Sequence, residues 1–296
     1  MICFNCSSQE YSKSWKDINY AGDSQEYHNL DIFLPKIKKD KYPVVISIYG
    51  SAWLANNAKG QDLSTLGKAL LDAGYAFVVP NHRSSFDAKF PAQVNDIKAV
   101  TRFVRANASE YQFDTSFVGI TGSSSGGSLA AMAGTTINVK EYSLGDQTVN
   151  IEGSVGDNLD YSSSVDAVVD WFGPTNMLIM DECGTTDMIH NDAKSPASLY
   201  IGGPIQENKN KTLLASPTTY VDAQDPPFLI VHGDKDPIVP FCQSKILYKK
   251  LQKEKVASEF VSVPEGGHGP GVHVDKYMNM MVEFFDKYKA LKAIKK

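Results

Sequence analysis

The sequence has few cysteines, no long apolar run and no excess of basic residues. Its 296 residues include only four cysteines, and the close pair Cys3 and Cys6 has neither histidine partners nor the second Cys-x-x-Cys of a zinc site. No apolar stretch approaches the roughly 18 residues of a membrane span. A net charge of -5 disfavours nucleic acid, because phosphate binding needs clustered Lys and Arg. We therefore expect no metal site, no membrane partner and no nucleic-acid partner.

The beginning of the chain leaves the compartment open. Its first residues, MICFNCSSQE, lack the charged region followed by an apolar region that marks a signal peptide. The protein is secreted or periplasmic if a signal peptide has been removed, and cytoplasmic otherwise. The sequence does not indicate an oligomeric state.

Composition and the order of the apolar segments predict an α/β fold. Hydrophobic residues make up 42% of the chain and charged residues 21%, as in an ordinary globular protein with a large core. Apolar, β-branched segments of strand length alternate with helical patterns. Strands that are apolar on both faces are typical of a mostly parallel sheet with helices on both sides. We therefore expect a single domain, residues 1–296, of this architecture.

The predicted elements can be placed along the chain. The strands are Trp15–Tyr20, His28–Leu34, Pro43–Tyr49, Tyr75–Pro80, Phe117–Thr121, Val165–Phe172, Pro227–His232 and Phe260–Val263, the first two forming an edge hairpin. The helices are Leu63–Ala73, Pro91–Ala108, Ser125–Ala133, Cys242–Lys253 and one that starts near His273. Two long segments, 138–164 and 174–225, break the alternation. We expect both to lie over the edge of the sheet that carries the site, with 174–225 as a small cap.

One serine lies between a predicted strand and a predicted helix. The segment GSSSGG, residues 122–127, directly follows the apolar strand and directly precedes a helix of small residues. Such a tight turn forces its middle serine, Ser124, into strained backbone geometry, and glycines two positions to either side avoid clashes between strand and helix. The alternative is a Gly/Ser-rich turn without function. The flanking elements favour a nucleophile at Ser124.

A second turn follows another apolar strand and carries the sequence YGSAW, residues 49–53. It resembles the HGGGW oxyanion-hole motif of esterases of the α/β-hydrolase superfamily, with Ser51 and Ala52 in two glycine positions. The resemblance implies that backbone N–H groups of Ser51 or Ala52, together with that of Ser125, stabilise an oxyanion. Trp53 follows the loop directly, so its bulk could limit the space for an acyl group.

Two later segments resemble the same enzymes. Residues 232–239, HGDKDPIV, are similar to the HGxxDxxV element, in which the second acid belongs to the catalytic triad, and this implies Asp236. The glycine-rich loop GGHG, residues 266–269, has His268 at the family's base position. The order Ser124, Asp236, His268 is that of α/β-hydrolases. Without this resemblance, solvated turn acids and an ordinary loop histidine would be the simpler interpretation.

The resemblance covers about residues 15 to 290 and extends to acetylxylan and feruloyl esterase-like members. Residues 168–175, VVDWFGPT, look like a strand and turn of those enzymes. Trp171 and Phe172 therefore end a strand at the predicted active-site edge, where aromatic faces can stack on sugar rings. The resemblance implies a serine carboxylesterase that hydrolyses short acyl esters, acetyl above all, on plant-type carbohydrate such as xylan.

Other functions remain open at this stage. A feruloyl esterase or a small formamidase or amidase would use the same triad. A non-catalytic ligand-binding protein is an alternative of another class, because this fold also hosts such proteins. The predicted chemistry needs no cofactor, and the expected partner is a small-molecule or oligosaccharide ester.

Overall fold

A computed structural model describes residues 11–294 and builds them around one eight-stranded sheet. The strands are β1 (Lys13–Asn19), β2 (Asn29–Leu34), β3 (Tyr42–Ile48), β4 (Ala76–Pro80), β5 (Phe113–Ser123), β6 (Glu141–Leu144), β7 (Gln147–Asn150), β8 (Ala167–Trp171), β9 (Phe228–Gly233) and β10 (Ser258–Val263). The large sheet has the order β1-β2-β4-β3-β5-β8-β9-β10, while β6 and β7 form a separate hairpin. Of the eight strands, β2 pairs antiparallel with both neighbours and the others run in one direction. The predicted mostly parallel sheet and its edge hairpin are confirmed.

Helices cover both faces of the sheet. They are α1 (Lys68–Asp72), α2 (Ala92–Ala106), α3 (Ser125–Thr135), α4 (Met180–Cys183), α5 (Pro196–Ile201), α6 (Lys209–Leu214), α7 (Cys242–Lys253) and α8 (Asp275–Ile294). A π-helical turn, Leu63–Gly67, runs directly into α1. The predicted helix Leu63–Ala73 is therefore present as two short helical pieces.

The core has two layers because the strands are apolar on both faces. On one face, Val44 and Ile46 of β3 pack with residues of α2, α3 and α7. On the other face, Val45 of β3 packs with residues of α1 and α8, including the fully buried Phe285. Successive strand residues point to opposite faces, so β3 contributes alternately to both layers. This sandwich holds the carboxyl ends of the parallel strands at one common edge.

Residues 138–164 do not lie where the sequence suggested. They contain the β6–β7 hairpin and pack on α2, where Asn95 Nδ2 donates to the carbonyl of Ile151 at 2.8 Å and Arg102 donates to that of Val155 at 3.0 Å. None of them lines the two cavities beside Ser124. The reason is topological. Helix α3 starts at the carboxyl edge and leads away from it, so the chain reaches the opposite edge of the sheet at the end of α3, before it enters β8.

Residues 174–225 carry the short helices α4, α5 and α6, and some of them do reach the cavities beside Ser124. A disulfide joins Cys183 at the end of α4 to Cys242 at the start of α7, with Cα atoms 5.9 Å apart. It ties this segment to α7. The other two cysteines, Cys3 and Cys6, fall outside the described residues. No helix within residues 11–294 has the length and apolarity needed to cross a bilayer.

Candidate active site

Ser124 lies in a sharp turn between β5 and α3. Its backbone has φ 57° and ψ -124°, and its N–H donates to the carbonyl of Trp171 at 2.8 Å. A Cβ atom on Gly122 would lie 2.3 Å from the Gly126 carbonyl oxygen, and one on Gly126 would lie 2.1 Å from that of Ile48. Only glycine fits at these positions, which explains the spacing of the motif. The turn holds the Ser124 hydroxyl at the carboxyl edge of the sheet.

Three side chains from separate loops form a continuous hydrogen-bond chain at this edge. Ser124 Oγ lies 2.9 Å from His268 Nε2, and His268 Nδ1 lies 2.7 Å from Asp236 Oδ2. The three residues follow β5, β10 and β9 respectively. The structure therefore brings together the nucleophile, base and acid that the sequence suggested, in hydrogen-bonding geometry.

Asp236 is held as a carboxylate by four donors. Its Oδ1 accepts from the N–H groups of Ile238 at 2.8 Å and Val239 at 2.9 Å, and its Oδ2 lies 2.7 Å from His268 Nδ1 and 3.2 Å from His232 Nε2. Burial alone would raise the pKa of Asp236, but the hydrogen bonds from His232 and His268 outweigh it and hold this pKa well below its usual value. Asp236 is therefore ionised at neutral pH.

His232 is a site residue whose role the sequence did not reveal. It is fully buried, and its Nε2 faces two acceptors, Asp236 Oδ2 and the Val239 carbonyl oxygen at 3.1 Å. Nε2 therefore carries a proton, and Nδ1 lies 2.7 Å from Ser244 Oγ. Its position four residues before Asp236, at the end of a buried strand, was the available signal.

The YGSAW loop places its backbone beside Ser124. Ala52 and Trp53 both have positive φ, 53° and 59°, a conformation that glycine adopts more readily. The Ser51 N–H donates to Ser125 Oγ at 2.9 Å, so this donor is already engaged. Within the described chain the Ala52 N–H has no acceptor. The Ser125 N–H opens helix α3, where first-turn N–H groups lack a helical partner.

Two cavities meet at Ser124. An inner cavity of about 40 Å³ is mostly apolar and has Trp53, Met180, Met188, Ala197 and Val239 among its walls. An outer cleft of about 370 Å³ is lined by Gln61, Asp62, Phe172, His268 and His273, among others. Ser124, Ala52, Met188 and Ile238 contribute to both. The space around the serine is thus divided into a small apolar part and a larger part whose walls include several polar side chains.

The three aromatic residues that the sequence suggested for substrate binding have different surroundings. Trp53 stacks on Tyr200, with ring centroids 4.6 Å apart, and walls the inner cavity. Phe172 lies 4.6 Å from the His268 ring and lines the outer cleft. Trp171 is fully buried in the core, where its Nε1 donates to Thr121 Oγ1 at 3.0 Å. The suggestion for Trp171 is therefore corrected, because its ring faces the core and neither cavity.

No cluster of three or more His, Cys, Asp or Glu side chains suited to a metal ion occurs in residues 11–294. His273, which lines the outer cleft, has a hydrogen-bond partner of its own. Its Nε2 lies 3.3 Å from Ser123 Oγ. Burial, together with the proximity of His268, lowers the pKa of His273 to about 4, so its ring is neutral at pH 7.

The sheet order, the strained serine turn and the order of the three residues along the chain define an α/β-hydrolase. Comparison with known proteins agrees with this class. A solved structure described as a truncated form of carbohydrate esterase from gut microbiota superposes with a TM-score of 0.92 at 49% identity, covering 96% of this chain and 99% of that one. Another, the bifunctional GH43-CE of Bacteroides eggerthii, gives a TM-score of 0.89 at 50% identity and covers 93% of this chain but 35% of that protein.

The family follows from a match to its sequence model. The BD-FAE family model matches residues 30–251, so the chain belongs to the BD-FAE family. Among curated relatives, Esterase LipQ of Mycobacterium tuberculosis is 27% identical over 263 residues, which cover 88% of this chain and 58% of LipQ. Probable carboxylic ester hydrolase LipM of the same organism is 29% identical over 80% of this chain and 51% of LipM. The chain thus spans little more than half the length of these relatives.

Proposed function

We propose that this protein is a serine carboxylesterase that removes short acyl groups, acetyl above all, from carbohydrate. The observation that carries the proposal is the unbroken chain from Ser124 Oγ through His268 to an ionised Asp236. The serine lies in a strained turn beside unpaired backbone donors. This is the arrangement that acyl transfer through a covalent intermediate requires.

The proposed reaction follows from this geometry. Ser124 Oγ attacks the ester carbonyl carbon while His268 Nε2 takes its proton, and Asp236 stabilises the imidazolium without taking the proton itself. The Ala52 and Ser125 N–H groups stabilise the oxyanion, since the Ser51 N–H is bonded to Ser125 Oγ. His268 then gives its proton to the alcohol oxygen as the C–O bond breaks. Water, deprotonated by His268, then attacks the acyl carbon, and His268 returns this proton to Ser124 Oγ as the bond between Oγ and the acyl carbon breaks and the acid leaves.

The two cavities support a short acyl group. The inner cavity of about 40 Å³ has room for roughly three water-sized groups, because one such group needs about 10 to 15 Å³. An acetyl methyl fits this space, whereas a feruloyl ring exceeds it. The carbohydrate part of the proposal is supported by the solved structure with 49% identity, which is described as a carbohydrate esterase.

The proposal is tested by Ser124→Ala with Ser128→Ala as the matched control. Ser128 is a buried serine one turn further along α3 and lines neither cavity. We expect Ser124→Ala to lose about four or more orders of magnitude in kcat on p-nitrophenyl acetate and on acetylated xylo-oligosaccharides, while Ser128→Ala keeps its activity. Near wild-type hydrolysis by Ser124→Ala protein, free of contaminating wild type, would refute the assignment. An amide hydrolysed faster than its ester would favour the amidase alternative.

A further inference from the structure

The outer cleft contains a carboxylate that the proposed reaction does not use. Asp62 lies in the loop that follows the YGSAW turn and lines the outer cleft together with Gln61, Ser124 and His268. Its exposed fraction is only 7%. This side chain is therefore almost buried, and the accessible space in front of it is the cleft that opens from the nucleophile.

The fold gives the Asp62 carboxylate no partner. Asp62 precedes the helical turn Leu63–Gly67, a position where an aspartate commonly caps the helix, but its side chain makes no capping bond. The bonds at this position go to its backbone carbonyl, which accepts from the N–H groups of Thr65 and Gly67. Within residues 11–294 the carboxylate takes part in no hydrogen bond or ion pair. An unpartnered carboxylate in a nearly buried position is costly unless something else supplies donors.

The surroundings of Asp62 narrow the kind of ligand. Burial raises the pKa of Asp62 to about 6, so the group is largely ionised at neutral pH. His273 lines the same cleft and is neutral, and Gln61 is uncharged. The cleft therefore offers a hydrogen-bond acceptor with no lysine or arginine among the residues that line it. This favours ligands rich in O–H donors and disfavours anionic ones.

The position of the ester relative to the cavities identifies which part of the substrate meets Asp62. If the acyl group enters the inner cavity, the alcohol part must lie in the outer cleft, because the two cavities meet at Ser124. We propose that Asp62, assisted by Gln61, binds the alcohol part of the substrate by accepting hydrogen bonds from hydroxyl groups of a sugar ring. This inference rests on the proposed function, since it assumes that the ester carbonyl binds at Ser124.

The test compares two substrates in Asp62→Ala and Asp62→Asn. We expect Asp62→Ala to raise KM for acetylated xylo-oligosaccharides roughly 10-fold or more, since a hydrogen bond to a charged group has about this effect on affinity. The kcat/KM on p-nitrophenyl acetate, whose alcohol part has no sugar hydroxyls, should stay within about 2-fold. Asp62→Asn keeps an acceptor oxygen, so its KM for acetylated xylo-oligosaccharides should lie between those of the wild type and Asp62→Ala. Its melting temperature should be no lower than that of wild type, because it removes a carboxylate without a partner.

Asp225→Asn is the matched control. Burial also raises the pKa of Asp225, to about 7, but this residue lies before β9 and lines neither cavity. We expect it to leave both substrates unaffected. Equal losses on the sugar ester and the aryl ester in Asp62→Ala, or no change on the sugar ester, would overturn the inference. A clear preference of the wild type for acetylcholine over the sugar ester would also overturn it and assign the carboxylate to a cationic alcohol.

A binding measurement separates this inference from the proposed function. Xylo-oligosaccharide binding to Ser124→Ala protein and to the Ser124→Ala, Asp62→Ala double variant can be measured by calorimetry without any turnover. Weaker binding by the double variant supports the subsite even if esterase activity is absent. Equal binding by both proteins overturns the subsite even if Ser124-dependent hydrolysis of p-nitrophenyl acetate is observed.

Discussion

The size of the inner cavity makes a quantitative prediction about acyl chain length. Met180 begins α4, is 2% exposed and forms part of the cavity wall. Met180→Ala removes three heavy atoms, Cγ, Sδ and Cε, from the wall of a cavity that holds roughly three water-sized groups in the wild type. The variant should therefore have room for about twice as many acyl carbons. We expect the preferred acyl group to lengthen from acetyl towards hexanoyl.

The expected magnitude follows from the energetics of apolar pockets. One methylene that fits or does not fit changes kcat/KM by about 10- to 200-fold, corresponding to about 1 to 3 kcal/mol. In the wild type, kcat/KM should fall steeply beyond four carbons. In Met180→Ala, the ratio of hexanoate to acetate hydrolysis should rise at least about 10-fold. The same change creates a cavity in the core and should lower the free energy of unfolding by about 2 to 5 kcal/mol.

The assay uses p-nitrophenyl esters from acetate to octanoate, read as kcat/KM at a temperature well below the melting transition of each variant. Met281→Ala is the control, because Met281 is fully buried in the layer between the sheet and α8 and lines neither cavity. It should lose comparable stability and keep the wild-type acyl preference. An unchanged hexanoate to acetate ratio in Met180→Ala would refute the assignment of the inner cavity to the acyl group. Rates that climb from acetate to octanoate in the wild type would refute it as well.

Three further predictions concern the surroundings of the site. His232→Phe removes one donor to Asp236 and should lower kcat by about 10- to 100-fold with little change in KM, since a hydrogen bond to a charged group contributes about 1.5 to 3 kcal/mol; an unchanged kcat contradicts this. Reduction of Cys183–Cys242, which spans 59 residues, should lower the free energy of unfolding by about 4 kcal/mol, seen as a lower melting temperature that the double serine variant reproduces. Burial raises the pKa of Asp170 from 3.8 to about 7, so its contribution to stability is fully present below about pH 4 and is lost as pH rises to about 7. Asp170→Asn should therefore weaken the dependence of the urea unfolding midpoint on pH over this range. Plots of the midpoint against pH that run parallel for variant and wild type would contradict the assignment.

The sheet and the serine turn could be predicted because their causes are local in the sequence. A parallel strand covered on both faces must be apolar throughout, and β3, β4 and β9 are buried along their whole length. The turn at Ser124 needs glycines at fixed positions, because the backbone of the neighbouring strand lies within 2.1 Å of where a Cβ would be. These requirements leave recognisable residue patterns.

The orientation of Trp171 could not be predicted, because a strand that is buried on both faces does not distinguish them by residue type. Strand side chains alternate between faces, but the neighbours Val168 and Val169 are apolar on opposite faces of β8, so the sequence does not show which face Trp171 occupies. In the structure it shares a core layer with Val169, two residues earlier. Phe172 lies just beyond the strand at φ 45° and turns into the site. One step along the chain thus separates a core residue that lines neither cavity from one that also lines the outer cleft.

The predicted position of residues 138–164 over the site was wrong, although the direction of the parallel strands was enough to exclude it. In a sheet of parallel strands, a helix that starts at the carboxyl edge returns the chain to the opposite edge before the next strand begins. Because α3 starts beside Ser124 and β8 follows in the same direction as β5, the segment between them must begin and end far from the serine. Length and polarity alone suggested a cover for the site, and the direction of the chain decides against it.

The position of the Asp62 carboxylate in the outer cleft could not be predicted from any sequence pattern. An aspartate before a helix is normally interpreted as its cap, and residue type alone does not distinguish a carboxylate that caps from one that faces a cleft. The distinction comes from the absence of a capping bond and from burial, which raises the pKa from 3.8 to about 6. That shift corresponds to about 3 kcal/mol against folding with the group ionised. Since the described fold offers no partner for this carboxylate, the groups that can donate to it are those that enter the outer cleft: water in the free protein and, as proposed, hydroxyl groups of a sugar directly beside Ser124.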